Sequence, residues 1–179
     1  MHLFEETNSS QPVYNGKIFD VICDTVTLEN DTQAKREVVL HNGGVCVVPV
    51  TDDNQLLLVR QFRYPFREVL TEVPAGKLNK GEDHLECGKR ELLEETGACA
   101  DTFTDMGIIY PTPAYLTEKI HMYIASGLKF EKQNLDEDEF LDVIKVPFEE
   151  ALEMVMKNEI KDAKTQIAIM KAWLVLSKK

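Results

Sequence analysis

From Val45 to Val50 the chain runs Val-Cys-Val-Val-Pro-Val without a polar side chain. An unbroken apolar run of that length predicts a strand buried on both faces, and Gly43-Gly44 punctuates the chain just before it. Upstream, residues 12–40 read as short strands at Val13-Tyr14, Lys17 to Leu28 and Glu37 to Leu40, with Asn30-Asp31 as a turn. Downstream, Asp52-Asp53-Asn54 predicts a tight connection into a strand over Gln55–Arg63. Another strand, Glu68–Val73, runs into Pro74-Ala75-Gly76. A glutamate-rich helix follows from about Asp83 to Thr96, closed by Gly97 at the position of a C-terminal cap. Strands are predicted at Phe103–Ile109, Ile120–Ala125 and Leu141–Val146, the last after an acidic loop, Asn134 to Glu139. Pro147 and two glutamates start a helix with Ala151, Leu152, Val155 and Met156 on one face. A final helix aligns Ala163, Ile167, Met170 and Leu174 along one stripe. This order predicts an α/β/α sandwich around a mixed sheet.

Composition narrows the class. The sequence has 179 residues, 44% apolar and 28% charged, which suits one globular domain with a small appendage. No run of about 18 apolar residues occurs, so no membrane partner is expected. The segment Met1 to Gln11 has no apolar core of a secretory signal, which points to a cytoplasmic protein. Cys23, Cys46, Cys87 and Cys99 are scattered without CxxC spacing, as reduced thiols rather than a disulfide or zinc framework. His2, His41, His84 and His121 are dispersed and are assigned neutral core or surface roles. A net charge of −11 argues against nucleic acid as a partner. It is compatible with a small phosphate ligand if a divalent cation screens the meeting of anions.

The chemistry concentrates between Gly76 and Ala98. Glu91, Glu94 and Glu95 stand at i, i+3 and i+4 of the predicted helix, so their carboxylates share one face and repel. Lys89 and Arg90 offset only part of that repulsion. A hard divalent cation would offset it well, and Mg²⁺ takes one or two carboxylates together with substrate phosphates. The full spacing is Gly76, five residues, Glu82, seven residues, then Arg90-Glu91-Leu92-Leu93-Glu94-Glu95-Thr96-Gly97-Ala98. This matches the Nudix box at every specified position, and the chain resembles the Nudix hydrolases. The resemblance implies a Nudix α/β/α sandwich with Mg²⁺ as cofactor, Mn²⁺ being able to replace it. Glu91, Glu95 and the carbonyl of Ala75 would hold metal, with Glu94 a further ligand or a partner of Arg90. Arg90 would lock the glutamate side chains, and Glu82 would sit at the far end of the loop and helix. Leu85 and Leu92 would pack the helix on the sheet.

Similarity to the bacterial ADP-ribose pyrophosphatase branch extends from about Tyr14 to Leu176. It includes Lys35-Arg36-Glu37, Gln61-Phe62-Arg63, Glu72 to Gly76, Leu135 to Glu139 and Asp162 to Thr165. Pro113, fifteen residues past Ala98, resembles that branch's marker proline, although Thr-Pro-Ala stands where Ser-Pro-Gly is usual. The resemblance places Arg36, Arg63, Glu72, Pro113 and Glu118 at the substrate. It makes residues 1–40 a small antiparallel β domain exchanged between the subunits of a homodimer, with 41–179 the hydrolase domain. Arg36 would serve the partner's site, and Tyr14, Ile18 or Phe19 would cover the base of the nucleotide. The general base would come from the acidic loop, Glu139 before Glu137, with Glu94 the alternative. The implied reaction is hydrolysis of ADP-ribose to AMP and ribose 5-phosphate. Alternatives are another nucleoside diphosphate compound (GDP-mannose or NADH), or a non-catalytic nucleotide sensor.

Overall fold

The computed structural model describes residues 3–135 and 139–178. These fall into two compact units, Met1–Gly43 with Tyr110–Lys119, and Gly44–Ile109 with Ile120–Lys179.

The first unit is a three-stranded antiparallel sheet, β1 (Glu6–Asn15), β2 (Asp20–Thr27) and β3 (Gln33–Leu40), in that order. The Asn30-Asp31 turn forms as the sequence predicts: Asp31 adopts φ 62°, and Asn30 Oδ1 accepts from the Thr32 amide at 3.2 Å and hydroxyl at 2.7 Å. A left-handed residue is tolerated there because Asp carries a short polar side chain. The strand predicted at Val13-Tyr14 is instead ten residues long. Its polar first half lacks a hydrophobic alternation, and backbone pairing with β2 alone defines it. Every residue of β1 is exposed, so this sheet has almost no core of its own. The segment Tyr110–Lys119 lies along β3, where Val39 donates to the Tyr115 carbonyl at 2.7 Å and accepts from the Thr117 amide at 3.0 Å.

The second unit is the sandwich. Its mixed sheet has the order β7-β4-β9-β8, formed by β7 (Ala75–Lys77), β4 (Gly44–Pro49), β9 (Ile120–Phe130) and β8 (Ala98–Ile109). β4 and β9 are parallel, whereas the β4–β7 and β8–β9 pairs are antiparallel. A second, antiparallel sheet has the order β10-β5-β6, from β10 (Leu141–Pro147), β5 (Gln55–Arg63) and β6 (Glu68–Glu72). The apolar run in β4 is explained by its two faces. Val45 and Val47 pack with Cys87 and Leu92 of helix α1 (His84–Thr96). Cys46 and Val48 pack with Phe148 and Ala151 of α2 (Phe148–Met156) and with Ala168, Ile169 and Ala172 of α3 (Ala163–Leu176). β5 repeats the alternation, with Leu57 on the α1 side and Leu56 and Leu58 on the other. Each such aliphatic side chain contributes roughly 1.5–3 kcal/mol on burial.

Two predicted helix faces are corrected. In α3 the buried positions are Thr165, Ala168, Ile169 and Ala172, while Ile167, Met170 and Leu174 face outward. The face that meets the sheet carries Ala168, Ile169 and Ala172, about a third of a turn or more round the helix from the predicted stripe. In α2, Ala151 and Val155 are buried as expected, but Met156 is 80% exposed and Met154 packs against the core instead. The short strand β7 and the first five residues of β8 were also missed; neither has the alternating pattern of a half-buried strand. No helix among the described residues is long and apolar enough to cross a membrane.

Candidate active site

Helix α1 is held at both ends by its own sequence. Asp83 caps it, accepting from the Leu85 amide at 2.9 Å and the Glu86 amide at 3.2 Å. Gly97 ends it with φ 69°, and a Cβ there would lie 2.7 Å from the Glu131 carbonyl, so only glycine fits. The following segment is tied to the same end: Gln133 Nε2 donates to the Glu95 carbonyl at 2.5 Å and the Asn134 amide to the Glu94 carbonyl at 3.2 Å. The start of the acidic loop is thereby anchored to the helix that carries the box glutamates.

Glu91 and Glu95 form the centre. Glu95 is 3% exposed and accepts from the Ala75 amide at 3.0 Å. Burial, reinforced by Glu91 and Glu139, pushes its carboxyl up to about 8. Burial also raises Glu91, against the opposing pull of Arg90, and Glu94 and Glu139 add to the rise. Glu91 lies over the backbone of Gly76, where a Cβ would fall 1.8 Å from its Oε1. Arg90 gathers the remaining acids: Nε donates to Glu82 at 3.0 Å, and Nη1 lies 2.9 Å from Glu94 and 2.8 Å from Glu91. One guanidinium therefore restrains three box carboxylates, while Glu95 is left to the Ala75 amide.

Keeping the buried Glu95 charged beside the half-buried Glu91 is costly unless a further positive group joins them. No group of three or more His, Cys, Asp or Glu side chains in metal-holding geometry occurs among the described residues. A cation here would draw on Glu91, Glu95 and oxygens of other kinds, such as a backbone carbonyl, water or substrate phosphate. That is the habit of Mg²⁺ rather than of zinc, and the donor set fits it.

Arg63, at the end of β5, lies within the electrostatic reach of Glu95. It grips Glu72 from the side, Nε to Oε1 at 2.6 Å and Nη2 to Oε2 at 2.8 Å. Glu72 is 1% exposed and is also bound by Lys164. Burial opposes its charge, but the two cations outweigh it and hold its carboxyl down at about 2. Expected among the substrate contacts, Glu72 thus sits beneath Arg63 with both oxygens engaged. Lys164 was not singled out from the sequence; the neighbouring Asp162 and Thr165, which cap α3, were the available signal.

The other expected residues lie in the first unit. Arg36 pairs with Glu5, Nη2 to Oε1 at 2.6 Å, and lines a cleft of about 670 Å³ with Leu3, Phe4, Leu28, Glu29 and Asn30. Phe4 was not anticipated there. Tyr14 and Phe19 are exposed, with ring centroids 5.8 Å apart. Pro113 is exposed in a turn closed by the Leu116 amide on the Thr112 carbonyl at 3.1 Å. Glu118 lies 3.4 Å from His41 Nδ1. Glu137, with Asp136 and Asp138, falls outside the described residues. The histidines are not all dispersed: His84 and His121 stack at 3.9 Å, and His84 Nδ1 meets the Tyr123 hydroxyl. Their separation in sequence hid this, because the packing of α1 on the sheet that contains β9 creates the contact.

The buried Glu95 and the half-buried Glu91 stand together on a capped helix, against a glycine-bearing strand packed into the sandwich. The NUDIX domain family matches residues 40–169, and the chain belongs to that family of hydrolases. It is 41% identical over 169 residues to the ADP-ribose pyrophosphatase of Bacillus subtilis (strain 168), covering 93% of this chain and 91% of that protein. It is 40% identical over 171 residues to the methanol dehydrogenase activator of Bacillus methanolicus, covering 93% and 92%. A crystal structure of an ADP compounds hydrolase superposes with a TM-score of 0.88 at 23% identity, over 97% of this chain and 95% of that one. Nudix hydrolases generally depend on a divalent metal.

Proposed function

We propose that this protein hydrolyses the pyrophosphate bond of ADP-ribose, giving AMP and ribose 5-phosphate, with Mg²⁺ as the working cation and Mn²⁺ able to replace it. The observation that carries the reading is the burial of Glu95 beside Glu91, two acids whose charge calls for a divalent partner at the foot of Arg63. The similarity to an ADP-ribose pyrophosphatase along nearly the whole chain supports the choice of substrate. Glu91, Glu95 and the Ala75 carbonyl would hold the cation, which when bound neutralises the diphosphate and makes water more acidic. Glu94 stays with Arg90 as a reserve ligand, and Glu82 with Arg90 steadies the cluster.

Arg63 meets phosphate oxygens with the edge of its guanidinium that Glu72 leaves open. Glu139 takes the proton of the attacking water; its influence on both Glu91 and Glu95 supports a place beside them. The water oxygen bonds to one phosphorus, the bridging P–O bond breaks, and the two phosphomonoesters leave. Glu137 is the second candidate for the base. Glu118, Pro113 and Arg36 serve the remainder of the nucleotide. Residues 1–40 exchange between two copies in a cytoplasmic homodimer, an arrangement supported by the exposure of β1 along its whole length.

The test is a panel of ADP-ribose, GDP-mannose, NADH and 8-oxo-dGTP with magnesium, products identified. ADP-ribose should give the highest kcat/KM. Faster turnover of another compound would overturn the substrate while leaving the hydrolase intact.

A further inference from the structure

Arg63 does not hold Glu72 alone. The carboxylate receives Arg63 Nε on Oε1 at 2.6 Å, while Oε2 receives both Arg63 Nη2 at 2.8 Å and the ammonium of Lys164. Lys164 is mounted in turn by Asp162, whose Oδ2 lies 3.0 Å from Nζ. The same Asp162 oxygen caps α3, accepting from the Thr165 amide at 2.9 Å and its hydroxyl at 2.6 Å. Thr165 Oγ1 accepts from the Val73 amide at 3.0 Å. The first turn of α3 therefore grips strand β6 and the residue after it, one side chain on Glu72 and one on Val73.

Charge makes this more than a brace. Arg63, Glu72, Lys164 and Asp162 sum to zero; without the lysine, the guanidinium would rest on a surplus negative charge. Glu72 is buried, and a buried carboxylate with one cationic partner takes as much of that partner as geometry allows. Arg63 engages it side-on through Nε and Nη2. The end-on edge, Nη1 with the second proton of Nη2, is the part of the fork left for another anion. Lys164 fixes this division by occupying Oε2 from the other side.

We propose that Lys164 is a positioning residue for substrate binding: by sharing Glu72 with Arg63, it holds the end-on edge of Arg63 ready for a diphosphate. The inference rests on the reading of Arg63 as a phosphate ligand. Lys164 touches neither substrate nor the reacting water. Its loss therefore weakens binding of the diphosphate and spares the chemical step.

The experiment compares KM and kcat for ADP-ribose at saturating magnesium in Lys164→Met, Lys164→Arg, Arg63→Ala and the Arg63→Ala/Lys164→Met double variant. Lys164→Met should raise KM about tenfold, with kcat within about threefold of the parent. Lys164→Arg should restore KM to within about threefold, since a second guanidinium can share Oε2. In the double variant, the lysine change should add less than about twofold to the effect of Arg63→Ala, because it acts through that side chain. If Lys164→Met fails to fold, Lys164→Gln keeps a donor for Oε2 without the charge and should show the same rise in KM. An unchanged KM in the folded lysine variant, beside a raised KM in Arg63→Ala, would overturn the positioning role and leave the Arg63 reading intact. Unchanged KM in Arg63→Ala would overturn both. A fall in kcat alone, or additive effects in the double variant, would overturn the proposed route through Arg63.

Discussion

The carboxylate of Glu91 rests against the α-carbon of Gly76, so that a methyl group built there would fall 1.8 Å from Oε1 and 1.9 Å from Cδ. The glycine that opens the box is needed for the space it leaves, because no left-handed backbone angle occurs at that position. Its partner fifteen residues along the chain uses that space to bring the Glu91 carboxylate against the Gly76 backbone.

Gly76→Ala should therefore act on the cation site before it acts on the fold. The added methyl must push the Glu91 carboxylate aside, since the backbone on the other side is fixed by pairing with Val45. The magnesium concentration for half-maximal activity should rise about tenfold or more, on the scale seen when groups supporting a metal are disturbed. A magnesium titration of the variant, with its thermal midpoint, checks this.

Glu91→Gln and Glu95→Gln should each remove most activity while the protein stays folded. Each keeps the shape and removes a carboxyl whose charged form burial disfavours, and above about pH 8 the metal-free Glu95→Gln variant should unfold at a higher temperature than the parent. Unchanged kcat/KM in both across several magnesium concentrations would rule out their role as ligands.

Without metal, stability should depend on pH in an unusual direction. Burial holds the carboxyl of Glu95 at about 8 in the folded state, well above the ordinary glutamate value of 4.5. Its raised value means the folded state keeps a proton that the unfolded state has lost. Stability therefore falls as pH rises from about 4.5 to about 8, by an amount on the order of a few kcal/mol, and is level above that. Glu72 works the opposite way, held at about 2, and its contribution is full above about pH 4.5 and lost progressively as pH falls from there to about 2. Thermal melts in chelator from pH 5 to pH 8 should show the decline. Added magnesium should reverse it, and Glu95→Gln should flatten it.

Loss of the base should appear in kcat. Glu139→Gln, with magnesium saturating, should lower kcat about a hundredfold or more. Glu137→Gln is the parallel measurement. If both stay within a fewfold of the parent, the base lies elsewhere and Glu94 becomes the candidate.

The proposed exchange of residues 1–40 makes a separate demand. Mixing Arg36→Ala subunits with Glu95→Gln subunits should recover part of the activity that each lacks alone, as one hybrid site receives both intact groups. Sedimentation as a monomer at micromolar concentration would refute the homodimer.

The box was legible because local spacing writes it: Asp83, Glu91, Glu95 and Gly97 are fixed by helix geometry and capping, which neighbouring residues determine. β4 was equally plain, as burial on both faces leaves no room for a polar side chain. What escaped needed distant partners. Lys164 meets Glu72 across 92 residues, and His84 meets His121 because α1 packs on a sheet in which β9 lies beside β4. The outer stripe of α3 misled because Ile167, Met170 and Leu174 form an apolar stripe of their own beside the buried face of Ala168, Ile169 and Ala172. With apolar residues on both faces, the helical period alone does not choose between them.

Strand β4 is walled in on both sides, by α1 on one face and by α2 and α3 on the other, with β7 and β9 along its edges. Fraying of either helix layer would still leave its amides covered by the other. The hydrogens on Val45, Val47 and Val48 should consequently exchange with solvent only when the whole unit opens, making them internal clocks for its global unfolding. Amides in β1, exposed from end to end, should exchange orders of magnitude sooner. Binding of a cation at Glu91 and Glu95 should slow the β4 clock without touching the fast one, so one exchange experiment separates stabilisation of the hydrolase unit from any ordering of the N-terminal sheet.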